Sequence, residues 1–137
     1  DRSPSRGLGD VYKRQIIYKL KNNNSRVSLF IEPNQLDIKI AKSLNVDCVE
    51  IHTGKFCNLI NKNKKFDKEL NRIKKAVILG NKIGLEVHAG HGLTYKSAKI
   101  LSKVKGISEF NIGHFLIGES IFIGLSNSVK KFKQIIK

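Results

Sequence analysis

Two short segments of this chain carry residues that could do chemistry: Ala89-Gly90-His91-Gly92-Leu93-Thr94-Tyr95 and Asn111-Ile112-Gly113-His114. Each follows an apolar, strand-like run, and each sets a histidine beside a glycine where the chain leaves that run. Glycine has no Cβ, so a ligand can come close to its backbone. Histidine donates or accepts a proton near neutral pH. Two such turns, one strand–helix unit apart, predict a single site built from neighbouring loops.

Glu50 adds a carboxylate. It lies within the otherwise apolar run Cys48-Val49-Glu50-Ile51-His52, where strand alternation puts Glu50 and His52 on one face. A carboxylate there needs a partner or a task. It could steady developing positive charge or relay a proton; a structural hydrogen-bond pair is the plainer alternative. His91, flanked by two glycines, is poorly placed for core packing and reads as a general acid or base. His88, inside its strand, reads as structural or as facing the surrounding helices. Gly113 and His114 precede an apolar helix, and N–H groups exposed at a helix start make an anion site. An ordinary tight turn would use glycine equally well, but two glycine loops before two helices favour phosphate. The four histidines, Cys48 and Cys57 show no recognised zinc-ligand spacing, so no metal is expected. Neither cysteine is a strong nucleophile candidate, since Cys48 belongs to a strand and Cys57 to a loop with no evident oriented base.

The elements that must position these residues alternate. Ile16, Ile17 and Leu20 are spaced like one helix face, then Val27 to Ile31 is a short β-rich run. Pro33 suits a helix first turn, and Leu36, Ile40 and Leu44 recur at intervals of four. Cys48 to His52 predicts a second strand, closed by Thr53-Gly54. A polar loop then leads to a long helix through Leu70, Ile73, Val77 and Ile78 that ends near Gly84. Leu85 to Ala89 predicts a third strand and Tyr95 to Val104 a helix. Glu109 to Ile112 predicts a fourth strand, followed by an apolar helix near Leu116 to Leu125 and a basic terminal helix.

Four strand–helix units in succession predict an α/β fold of parallel βαβ units with right-handed crossovers. They amount to half of a (β/α)8 TIM barrel, with a doubly wound open sheet as the alternative. In both, ligands sit at the C-terminal ends of strands, which is where Glu50, His52, His91, Gly92, Gly113 and His114 fall. If the four strands are a barrel's last four, the two glycine–histidine loops follow strands seven and eight, where barrels commonly hold phosphate.

Composition narrows the class. A chain of 137 residues suffices for one small domain. No apolar run approaches the roughly 20 residues of a membrane span, and no signal-peptide layout opens the chain. Two cysteines are too few for a disulfide scaffold, and a cytoplasmic setting is expected. The net charge of +15 could suggest nucleic acid. Yet only Arg26 and Arg72 follow Arg14, and the lysines are spread along the chain, so a solvated surface is the better reading. Residues 1–15 hold three arginines and no asparagine or isoleucine, residues abundant from Ile16 onward. They read as a non-native N-terminal scar ahead of a 16–137 domain.

Taken together, Val27-Ser28-Leu29-Phe30-Ile31, Val49-Glu50-Ile51-His52-Thr53-Gly54, Ala89 to Tyr95 and Asn111 to His114 closely resemble the pyridoxine 5′-phosphate synthase family of vitamin B6 biosynthesis. The order and spacing fit from about Ile16 to the end, over the C-terminal half of that family's barrel. The resemblance implies a cofactor-free condensation of 1-deoxy-D-xylulose 5-phosphate with 3-amino-2-oxopropyl phosphate. It implies that His91 is the proton donor and Glu50 the transition-state stabiliser, and that Gly92, Gly113 and His114 hold the amino-oxopropyl phosphate. Partners would be phosphorylated small molecules, with neither nucleic acid nor membrane, and the full-length protein would form homo-oligomers. The family's N-terminal half supplies a further histidine, a glutamate base and arginines, so this chain is expected to be a truncated part, inactive alone, with exposed sheet edges and apolar surface. The alternatives are another phosphate-binding barrel enzyme and a basic nucleic-acid-binding module. A Schiff-base aldolase has no support, since no strand run contains a lysine.

Overall fold

The computed structural model describes the backbone of residues 4–136 and the side chains of residues 11–136. Helix α1 (Pro4–Asn22) leads to strand β1 (Ser28–Ile31), helix α2 (Gln35–Ser43) and strand β2 (Cys48–His52). Two helices follow, α3 (Gly54–Asn61) and α4 (Asp67–Lys82), before strand β3 (Glu86–Gly90). Then come α5 (Tyr95–Leu101), β4 (Glu109–Asn111), α6 (His114–Ile123) and α7 (Leu125–Ile136).

All strand pairs are parallel, and the sheet order is β1-β2-β3-β4. Each strand therefore lies beside its sequence neighbour, with no reversal of direction across the sheet. A doubly wound sheet needs such a reversal; a barrel does not. The fold is the α/β one expected, four parallel strand–helix units of the (β/α)8 kind.

The two faces of the sheet differ in chemistry. Val49, Ile51, Val87 and Ala89 are fully buried, and the valines and Ile51 join one core with Ile38 of α2, Phe56 of α3 and Ile73 and Val77 of α4. Alternation sends Phe30, Glu50, His52, His88 and Asn111 to the opposite face. The register pairs Phe30 with Glu50, Glu50 with His88, His88 with Glu109, and Gly90 with both His52 and Asn111. Parallel partners point the same way, so polar groups gather on the face away from the core helices. His88 lies there, not toward the helices: its Nε2 is 2.9 Å from Glu86 Oε1 and its Nδ1 is 3.7 Å from Glu109 Oε1.

Several local expectations are corrected. Residues Gly54 to Asn61 form a helix, because Phe56, Cys57 and Ile60 make a buried face that the surrounding asparagines and lysines obscure. Pro33 precedes α2 and does not sit in its first turn; Asn34 caps the helix by accepting from Asp37 N at 2.8 Å. The buried face of α2 is Ile38 and Ala41, while Leu36 and Ile40 are exposed. Helix α5 stops at Leu101, and its start is fixed by a capping box between Thr94 and Ser97. Helix α6 begins at His114, two residues earlier than its apolar run suggests.

Helix α1 runs through the compositional change at residue 15; its first three preceding residues lie outside the described region. Ile17 anchors it in the core, and Lys21 donates to Asp47 Oδ1 at 2.8 Å and to Asn45 O at 3.0 Å. At the other end, α6 is apolar yet has no buried residue among those described; Ile121 and Phe122 are 80% and 84% exposed. With β1 and β4 as open sheet edges, this is the unpaired edge and exposed apolar surface the sequence predicts. Among the described residues, no helix is long and apolar enough to cross a membrane.

Candidate active site

The C-terminal ends of β2, β3 and β4 converge. Residue Glu50 is half-buried, and Asn111 at the end of β4 donates from Nδ2 to its Oε2 at 2.7 Å. Between them stands Gly90, the last residue of β3. An ideal Cβ at position 90 would lie 1.8 Å from Glu50 Oε1 and 3.1 Å from Asn111 Cβ. The missing side chain of Gly90 is therefore the space the carboxylate occupies.

His91 follows at once, with φ of 75°. Left-handed backbone is uncommon for a residue with a Cβ, and it persists only where neighbours impose it. Thr53 does so. Its N–H donates to Gly90 O at 2.9 Å, and its fully buried hydroxyl lies 2.7 Å from Gly90 O and 2.8 Å from His91 O. The Cys57 thiol sits 3.8 Å from both His91 O and Thr53 Oγ1. Burial pushes that thiol up from its ordinary pKa, against the opposing hydrogen bonds to Ser97 and Thr53. Its burial and its place against two oxygens fit a packing role.

Gly92 also has positive φ, 77°, and a Cβ there would approach Cys57 Cβ to 3.3 Å. Its backbone explains its identity. Gly113 differs: its φ is −112°, and a Cβ would meet nothing within 4 Å. Among the described residues, neither a positive φ nor a close neighbour demands glycine there. Both loops face one cavity of about 500 Å³, lined by His91 to Thr94, by Asn111 to Phe115, and by Asn61 from α3. His114 is the first residue of α6, so the unpaired N–H groups of that helix start border the same space.

Of the sequence-predicted residues, His91, Gly92, Gly113 and His114 thus share one cavity, and Glu50 reaches its wall through Asn111. His52 does not line it. It hydrogen-bonds through Nδ1 to Glu32 at 2.7 Å and packs beside His91. Glu32 is held below the usual carboxylate range chiefly by that bond, with burial opposing and Arg72 assisting. Thr53, Gly90, Asn111 and Glu32 were not singled out for any role by sequence reasoning. Strand register reveals Gly90 and Asn111, and hydrogen bonds across the strand ends reveal Thr53. Among the described residues, no group of three or more His, Cys, Asp or Glu is placed to hold a metal ion.

Comparison with known proteins bears on the same region. Residues 10–137 match the family described as "Pyridoxal phosphate biosynthesis protein PdxJ". The chain belongs to the PdxJ family. Relatives named pyridoxine 5′-phosphate synthase include that of Pelagibacter ubique, 57% identical over 122 residues, covering 89% of this chain and 51% of the relative. The Zymomonas mobilis protein is 46% identical over 123 residues, covering 90% and 47%. That of a Sulfurihydrogenibium species is 44% identical over 125 residues, covering 91% and 51%. The chain spans about half the length of the curated PdxJ relatives it matches. The four strand–helix units are correspondingly half of a PdxJ barrel.

Proposed function

We propose that this chain carries the proton-donating and phosphate-holding part of a pyridoxine 5′-phosphate synthase, a transferase of vitamin B6 biosynthesis. The complete enzyme condenses 1-deoxy-D-xylulose 5-phosphate with 3-amino-2-oxopropyl phosphate, releasing phosphate and water. It needs no cofactor, works in the cytoplasm as a homo-oligomer, and engages phosphorylated small molecules, with no nucleic acid or membrane partner. The remaining half supplies the rest of the catalytic groups, so the 137-residue chain alone does not turn over.

Gly113 is the observation that carries this reading. A glycine with no close neighbour among the described residues, open to a cavity at a helix start, leaves room for an anion against the backbone. Gly92 opens the other side of the same cavity, and His114 adds an imidazole. A phosphate seated there places the rest of its substrate toward His91. Ring closure with loss of water needs a proton delivered to a departing oxygen, and the His91 imidazole is the group positioned to deliver it. Glu50, fixed by Asn111, offers a negative charge to a cationic intermediate. Sequence identity above half to a named synthase supports this chemistry over an isomerase or aldolase.

The test is a complete barrel, made by grafting residues 16–137 onto the remaining half of the Pelagibacter ubique relative. The folded graft should make pyridoxine 5′-phosphate from the two substrates. His91→Asn should lower kcat by about 100-fold or more with little change in KM, the usual scale for losing a general acid. A folded graft that forms no product, or a His91→Asn variant as fast as its parent, overturns the proposal.

A further inference from the structure

We propose that Glu32 and His52 form a positioning pair whose task is to hold the His91 imidazole in its working orientation. This rests on the reading of His91 as the proton donor. The loop itself cannot supply that orientation. His91 lies between two glycines with left-handed backbone, and Thr53 grips its carbonyl but not its ring. A side chain works to a fraction of an ångström only when packing locks its rotamer.

The lock comes from β1 and β2. The rings of His52 and His91 have centroids 4.7 Å apart, tilted by 54°. Phe30 closes the group, 5.1 Å from His52 and 6.2 Å from His91. The His52 ring is in turn fixed at Nδ1 by Glu32 Oε1 at 2.7 Å, and the second oxygen of Glu32 accepts from Arg72 Nη2 at 2.6 Å. With both oxygens held, the carboxylate cannot rotate freely, and it fixes the His52 ring by accepting from Nδ1. Gly54 provides the room: a Cβ there would lie 2.8 Å from both His52 Nε2 and His91 Cδ2. The two imidazoles therefore share one slot, and moving either moves the other. His52 does not line the cavity, so it acts through His91 and not on substrate.

Two variants test this in the grafted barrel. Glu32→Ala leaves both imidazoles present but frees His52; His52→Ala removes the wall. We expect kcat to fall about 10-fold and about 100-fold respectively, a range typical of small misplacements of a catalytic group. KM for the amino-oxopropyl phosphate should stay within about two-fold, since the phosphate loops are untouched. In the 137-residue chain, the His91 ring resonances should broaden or shift in both variants while the Gly92 and Gly113 amides stay in place. Unchanged kcat together with unchanged His91 ring resonances overturns the inference, as does a loss confined to KM and melting temperature. His91→Asn separates the two readings. If it is inactive while both other variants are fully active, only the positioning role fails; if it is itself active, the proton-donor reading fails.

Discussion

Gly90 and Glu50 occupy one volume: the carboxylate oxygen Oε1 lies 1.8 Å from where a Cβ on residue 90 would be. A glycine in a strand interior often marks such a close approach. Here it lets a charged group from β2 cross the face of β3 to meet Asn111 on β4. Gly90→Ala should push the carboxylate off Asn111, destabilise the fold by about 1–3 kcal/mol as overpacking does, and lower activity of the complete barrel about 100-fold. A crystal structure of the variant with the Glu50–Asn111 bond intact would contradict this.

Thr53 ties the end of β2 to the His91 loop by three contacts. Thr53→Val keeps the shape but removes the hydroxyl shared by the buried Gly90 carbonyl and the part-buried His91 carbonyl. Denaturant unfolding should show a loss of about 0.5–1.5 kcal/mol, the scale of one net hydrogen bond. Thr53→Ser, which keeps the hydroxyl, should retain most of the stability. Equal stability for Val and Ser would mean the hydroxyl contributes nothing.

At residue 91, stability and activity should part company. Asparagine tolerates left-handed backbone, so His91→Asn should unfold at or above the parent's midpoint. His91→Val should lose about 1–2 kcal/mol, because a β-branched residue fits φ of 75° poorly. In the complete barrel both should lose about 100-fold or more in kcat. Thermal melts of the two variants beside the parent check the ordering.

Three carboxylates link pH to stability. Asp47 is held below its ordinary pKa first by Lys21 and then by the Val27 N–H. Glu86 is lowered chiefly by His88, with burial opposing and Arg26 assisting, and Glu32 is lowered chiefly by His52. A lowered folded pKa gives stability that is complete above the unfolded value and is lost as pH falls through the folded one. Unfolding midpoints should therefore hold from neutral pH to about 5 and drop below about 4.5. Salt should shrink the drop, because these groups are largely exposed. Asp47→Asn should remove part of it; an unchanged acid limb in that variant would contradict the assignment.

Much of this was legible in the residues. The β2 run is found at the bounds the alternation predicts, because Val49 and Ile51 alternate with polar neighbours in a half-apolar strand. The two glycine–histidine loops stand out because glycine, histidine and a preceding strand coincide. Helix α3 was hidden, since its buried face rests on Phe56, Cys57 and Ile60 within a polar stretch. The α2 stripe misled for another reason. Leu36 and Ile40 have helical spacing, yet Ile38 and Ala41 are the residues that meet the core. Cross-strand relations such as Gly90 with Glu50, or His52 with Glu32, depend on register, which no local pattern carries.

The central claim is that the two loops hold one phosphate between them, and a titration of inorganic phosphate into the ¹⁵N-labelled chain tests it most directly. The amides of Gly92, Gly113, His114 and Phe115 should shift together with a single dissociation constant. Gly113→Ala should weaken binding about ten-fold by placing a methyl group against the anion, while changing stability by no more than about 0.5 kcal/mol, as for an open surface position. Amides that shift with different constants, or a Gly113→Ala variant that binds phosphate as tightly as its parent, would contradict the account.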